Sequence, residues 1–318
     1  RLLVRLPDPD RPSRRTGGRH ACRQAVTASP RLLGPGDETA VEEFLHPHAD
    51  SSLFLLGNLR AAGLADTGAP YSAAWVAAWD GPEILGVAAH CWNGVLLVQA
   101  PRELADVARA SLAASRRPLA GISGPRAQVV AARAALGLGR APVAMDHEAE
   151  LFSLDLSALA VPGPLSRGDV ACGPPSEGEL PLLTDWRVAY AVETLGAARG
   201  DGLLSTCAEE VGRLAAEGNA FVLREGGAPV AFSGFNARLR DVVQVGGVYT
   251  PPALRGRGFA RAVVAGSLLP ARAEGVGRAV LFTERENEAA RRAYRALGFR
   301  VVGDYGMVLF ETPVPPVR

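Results

Sequence analysis

The sequence predicts an α/β (α+β) chain of two tandem halves, each a mixed, mostly antiparallel central sheet flanked by helices. Three observations carry this expectation. Short apolar runs rich in β-formers alternate with helix-length segments. The order of those segments in the first half is met again in the second. A stretch rich in Pro and Gly, 161–178, reads as a linker between them. Length agrees, because a chain of 318 residues ordinarily divides its core. The division expected is a disordered or non-native tail at 1–30, a first domain at 31–160, the linker, and a second domain at 179–318.

The tail scatters Arg1, Arg5, Arg11, Arg14, Arg15, Arg19 and Arg23 among Pro, Gly and Ser, without the apolar core of a signal peptide. In the first domain, 38–46 and 53–62 read as helices. Strands follow at 73–79 and 83–90, about an Asp80-Gly81-Pro82 turn, and at 94–99, stopped by Pro101. Then come a helix at 103–114, a strand at 119–122, an alanine-rich helix at 128–136 ending at Gly137, and a closing strand at 151–156. In the second domain, 180–195 and 205–216 read as helices, the latter with Ser205 as N-cap and Gly218 as stop. A hairpin at 220–224 and 229–235 turns about Gly226-Gly227, and a last strand covers 301–311.

The second domain's centre carries the chemistry. Val242, Val243, Val245, Val248 and Tyr249 form a strand that Gly246-Gly247 would bulge and Pro251-Pro252 would end. Gly256 and Gly258 then permit a tight loop into a helix over 260–269. Free N–H groups at such a helix start bind anions, and Arg255, Arg257 and Arg261 add positive charge. This is a phosphate cradle. It is not a Walker loop, since the chain has no lysine, nor a dinucleotide fingerprint, since Arg261 stands at the third glycine's place.

Arg255-x-x-Gly258-x-Ala260 after a bulged strand resembles the acyl-CoA loop of the GNAT acetyltransferase superfamily. Downstream, a strand at 278–283, a helix at 287–297 and Gly298-Phe299 follow in the order that family shows. The resemblance implies acetyl-CoA as co-substrate, with no metal, and a primary amine (small molecule or protein) as acceptor. It places pyrophosphate on Arg255, Gly256, Arg257, Gly258, Phe259 and Ala260, and the pantetheine arm along the backbone of Val248 and Thr250. Asn287 would contact the coenzyme, and Tyr294 would protonate the departing thiolate. Transfer would be direct, without an acyl-enzyme. Many relatives place a basic glutamate eleven residues before the loop's first Arg or Gln, where this chain has Gln244, whose amide cannot take a proton. The base is therefore open: Glu193, a relay through water, or an acceptor already partly neutral.

The first half parallels the second at 84–88 with 229–233, 95–101 with 243–251, and 134–138 with 295–299. Where the second has RGRGFA, the first has only Arg102-Glu103-Leu104-Ala105, and no tyrosine precedes its Leu136-Gly137. It reads as a degenerate copy with a structural or substrate-shaping role. Trp186 and Tyr190, four apart, line either the acceptor pocket or the core. The four cysteines and five histidines show no metal-binding spacing. A net charge of +1 argues against a nucleic-acid or membrane-surface partner, and no apolar run approaches the ~20 residues of a membrane span. A cytoplasmic N-acetyltransferase is the expected protein. The alternatives are a non-catalytic acyl-CoA-binding module and an amino-acid N-acyltransferase that uses a longer acyl chain.

Overall fold

The computed structural model of the protein describes residues 29–316. All of the expected tail except Ser29 and Pro30 lies outside the described residues. The first half runs β1 (Ser29–Leu32), α1 (Glu38–Leu45), α2 (Ala49–Ala62), β2 (Ala73–Asp80), β3 (Glu83–Cys91) and β4 (Val95–Gln99). It continues with α3 (Leu104–Ser115), β5 (Leu119–Pro125), α4 (Arg126–Ala135) and β6 (Val143–Asp155). A short α5 (Gly163–Arg167) leads to a second half of the same order: β7 (Val170–Gly173), α6 (Leu180–Leu195), α7 (Asp201–Ala216), β8 (Ala220–Glu225), β9 (Ala228–Arg238), β10 (Val242–Tyr249), α8 (Phe259–Ala273), β11 (Arg278–Thr283), α9 (Glu288–Arg295) and β12 (Arg300–Val314). The sequence parallels are thus parallels of structure.

Several elements differ from the sequence expectation: α5 stands inside the stretch read as linker, and α2 begins at Ala49 rather than 53. β1 and β7 are edge strands of four residues, too short to show alternation, and β7 lies inside the stretch read as linker. β6 begins at Val143 rather than 151, because its first part carries Asp146, His147 and Glu148, and a charged run does not read as a strand. α7 begins at Asp201, with extended Gly200 at its start, and Asp201 supplies the acid that the helix dipole favours there. Ser205 is therefore inside the helix and not its cap. Its hydroxyl hydrogen-bonds Glu209 at 3.4 Å.

The twelve strands among the described residues join one sheet, in the order β1-β2-β3-β4-β5-β12-β6-β11-β10-β9-β8-β7. Each half gives its last strand to the other. β12 lies antiparallel beside β5, with Val308 opposite Ile122, and β6 lies antiparallel beside β11, with Phe152 opposite Leu281. The exchanged strands pair with each other at the centre, Tyr305 opposite Ala149. The halves are accordingly related by a pseudo-twofold running through the sheet between β6 and β12.

Side-chain alternation along the strands makes two faces. Under α1 and α2, buried Leu45, Leu53 and Leu56 share a core with Trp75, Leu151, Val242 and Val280. On that same face α6 and α7 cover Val222, Phe232 and Tyr249 with Leu183, Trp186 and Leu214. The other face is covered by α3 and α4 over Leu96, Val98 and Ile122, and by α8 and α9 over Phe152, Val243, Val245 and Leu281. Burial of this apolar surface, at ~25 cal/mol per Å², is the main force holding the layers together. No helix among the described residues is long and apolar enough to cross a membrane.

Candidate active site

The site begins as an opening in the sheet. β10 and β11 run parallel and pair at Val242–Gln244 with Arg278–Val280. Beyond that, β10 follows β9 instead, and its register shifts between Gly246 and Tyr249. Gly247 makes this bulge possible with φ +61°, a left-handed conformation that costs a side-chain-bearing residue ~1–2 kcal/mol. The strand bends away from β11, and Val248 and Thr250 stand on the flank of the resulting wedge. Thr250 Oγ1 is buried without a hydrogen-bond partner.

At the end of β10 the chain turns through Pro252–Leu254 into the glycine loop. Gly256 and Gly258 take φ +81° and +82°, and Gly258 is the N-cap of α8. No side chain caps this helix and no acid occupies its first turn, so its positive end faces outward. Phe259 anchors the start in the core, and Ala260 follows half-buried. Arg255 bonds Glu193 at 2.6 Å and the carbonyl oxygen of Thr250 at 3.0 Å. Arg257 bonds both oxygens of Glu225, at 2.9 and 2.8 Å, and lies 4.6 Å from the Phe259 ring centre. Arg261 Nε is buried and unpartnered. An uncapped helix start, an orphaned arginine nitrogen and two arginines in exposed, exchangeable ion pairs fit a pyrophosphate.

On the far side of the wedge stands α9. Asn287 caps it, its Oδ1 accepting from the Ala290 N–H at 3.1 Å. Tyr294 is the buried residue of this helix, with its ring edge-on to Phe152 and Phe299, both at 6.1 Å. Burial, and then the nearby Tyr190 phenol, push Tyr294 well above the ordinary phenol value. Tyr190 is raised by its own burial as well. Tyr190, on α6 of the opposite face, is thus near enough for its charge to bear on Tyr294. Trp186 belongs to the core, packed near Tyr249 at 6.3 Å between ring centres.

Gln244 is 2% exposed, on the α6 side of β10, with Oε1 unpartnered. Glu193, the carboxylate that sequence offered as a base, is occupied: it holds Arg255 and accepts from the Tyr249 hydroxyl at 3.3 Å. Several polar groups near the wedge carried no signal in the sequence, because their partners are far apart in the chain. Arg187 bonds Glu210 at 2.8 and 2.7 Å, stacks 4.9 Å over Tyr190 and reaches to 3.0 Å from where a Gly247 Cβ would sit. Asn236 fills the space a Gly246 side chain would need. His147, from the first half, pairs with Glu284 at 3.2 Å, and the Glu284 charge bears on Tyr190.

The corresponding place in the first half is closed. Gly124 of β5 lies so near Val98 of β4 that a Cβ would be 2.5 Å from the Val98 carbonyl oxygen. The Ala100 N–H, at the end of β4, donates to Gln128 Oε1 of α4 at 2.7 Å. The N-cap of α3 is left-handed like that of α8, yet it is Glu103, at φ +56°. A carboxylate thus stands where the second half offers a bare helix end.

The segment 186–299 matches the model of the acetyltransferase (GNAT) family. No curated protein sequence matches the chain. In structure it is similar to a GCN5-related N-acetyltransferase from Kribbella flavida, at 18% identity, covering 82% of this chain and 94% of that one, with a TM-score of 0.52. It is also similar to a GCN5-related N-acetyltransferase from Sphaerobacter thermophilus, at 16% identity, 88% and 94% coverage and a TM-score of 0.52. A tandem GNAT protein from the clavulanic acid biosynthesis pathway shares the arrangement at 14% identity, 88% and 97% coverage and a TM-score of 0.51. The wedge, the glycine loop and the helix behind it therefore lie within the segment, residues 186–299, that matches the acetyltransferase (GNAT) family model, and the fold of the chain is that of the GNAT structures it resembles.

Proposed function

We propose that the protein transfers an acetyl group from acetyl-CoA to a primary amine by direct attack, with the chemistry in the second half. The observation that carries this reading is the wedge itself. It joins an uncapped helix start to a buried, protonated phenol through the open flank of β10. The first-turn N–H groups of α8, with Arg255, Arg257 and Arg261, would hold the pyrophosphate of the coenzyme. The backbone at Val248 and Thr250 would align the pantetheine arm, and Asn287, already capping α9, would meet it from the other side.

The acceptor nitrogen attacks the thioester carbonyl carbon, the C–S bond breaks, and the sulfur leaves with the electron pair. Tyr294, kept protonated by its burial, donates its proton to that sulfur. Gln244 accepts a hydrogen bond but no proton, so the nitrogen's proton leaves by water or arrives already lost. Release of free thiol from acetyl-CoA, followed with a panel of primary amines, tests the reading. Amine-dependent release supports it; tight acetyl-CoA binding without any amine-dependent release would make the domain a binding module instead.

A further inference from the structure

Glu150 is a carboxylate inside the sheet layer, 4% exposed, on the strand that the first half contributes to the second. Its two oxygens accept from Arg291 of α9, Nε at 2.6 Å and Nη2 at 3.2 Å, in a two-pronged contact. Arg285 adds a bond at 3.4 Å, and ties the same loop to Asp304 of β12 at 2.5 Å. Arg291 also donates to the Arg285 carbonyl at 3.2 Å, which closes the loop on itself. Two residues along β6, on the same face, Phe152 meets the ring of Tyr294. Arg291 and Tyr294 are three apart and therefore on one side of α9.

We infer that the first half supplies a positioning residue to the second half's site: Glu150, on the exchanged strand, fixes α9 so that Tyr294 faces the wedge. The inference rests on the reading of Tyr294 as the acid of acetyl transfer. α9 has only eight residues, too few to hold a helix or an orientation by itself. Two grips on one face, Glu150 on Arg291 and Phe152 on Tyr294, fix both its rotation and its position along the strand. A buried ion pair adds little net stability over an apolar substitute, whereas its directional geometry constrains the groups it joins. The half that lost its own phosphate loop thus remains part of the active centre.

The test is a double-mutant cycle in the full chain, with acetyl transfer and cooperative unfolding measured for Glu150→Gln, Tyr294→Phe and both together. Glu150→Gln should lower kcat roughly 10- to 100-fold, as expected of a misplaced group, while KM for acetyl-CoA changes by less than about threefold. In the Tyr294→Phe background it should cost about twofold or less, since nothing remains for it to position. Arg291→Lys, which keeps the charge but loses the fork, is read in the same way if Glu150→Gln does not fold. Amide exchange over 288–295 should quicken in Glu150→Gln while α8 is unchanged, a readout that needs no activity. Equal losses in both backgrounds, an unchanged kcat in the folded variants, or unaltered exchange in α9 would overturn the positioning role. A wild-type protein that transfers acetyl to no amine would instead overturn the functional reading, and leave the exchange result to decide on Glu150.

Discussion

Tyr294 and Gln244 show how burial sets the roles available to a side chain. A phenol with no charged partner is held neutral by desolvation, so it can give a proton at working pH but not take one. Tyr294→Phe keeps the ring packing against Phe152 and Phe299 and removes only the hydroxyl. Turnover should fall by roughly 10²–10⁴, the usual contribution of a general acid, with CoA affinity by calorimetry little changed. Full activity would leave Tyr294 as a core residue and nothing more. Gln244 Oε1 is buried, unpartnered and unable to ionise, which suits it to orient a water or an amine N–H. Gln244→Ala should therefore cost about tenfold or less, well below the loss of a true base, and the rate should climb with pH toward the acceptor amine's own pKa. A thousandfold loss with fold and CoA affinity intact would show that this amide does more than hold water.

At the scale of the element, the two equivalent helix starts form a comparison within one chain. α3 begins at a left-handed glutamate and α8 at a left-handed glycine. Glu103 shows that the backbone tolerates a carboxylate there, at an ordinary cost of ~1–2 kcal/mol for the conformation. Gly258→Glu should consequently fold, yet lose CoA binding, because its charge and bulk fill the anion site. Unchanged affinity in calorimetry of the folded variant would refute the cradle. If the full-length variant retains no site of any strength, the closed first half binds no CoA either.

The start of α6 makes a second, independent case. Glu179 caps Ser176 and bonds Arg224 at 2.8 and 2.5 Å, and that guanidinium holds its carboxyl down to about 2 against an ordinary 4.5. Its folded value is the lower one, so its stabilisation is complete above about 4.5 and fades as pH falls towards about 2. The melting temperatures of wild type and Glu179→Gln, measured across pH 2 to 6, should converge at the acid end. A constant offset would mean that this carboxylate does not titrate as the geometry requires.

At the scale of the molecule, exchange of β6 and β12 makes each half's sheet incomplete without the other. A chain that ends at 160 leaves β5 as a bare edge and carries β6 with no strand on either side; one that begins at 161 does the same to β11 and β12. Such edges aggregate, and buried faces such as that of Phe152 would be exposed. The separated halves should be insoluble when produced alone and recover a soluble, cooperatively unfolding complex when produced together. Two soluble, independently folded halves would show that the exchange is not obligatory. For this reason CoA binding by the first half is properly examined in the whole chain with Gly258→Glu, rather than in an isolated fragment.

The sequence by itself determined the elements whose cause is local. Val and Phe runs made β10 and β11, Pro251-Pro252 stopped the strand, Gly246-Gly247 bulged it, Gly258 opened α8, and Asn287 capped α9. The repeated order of elements was legible for the same reason, since propensity and turn chemistry act over a few residues. Only the tertiary structure decided which strands neighbour one another. Register and exchange depend on matching faces more than a hundred residues apart, as between Phe152 and Leu281, and no local pattern distinguishes a strand's own half from its twin. The same holds for the wedge's polar groups. Glu150, His147, Arg187 and Asn236 belong to no motif in the sequence. Partners brought from elsewhere in the chain hold Glu150, His147 and Arg187 at the candidate site, and strand pairing sets the exposed Asn236 over Gly246.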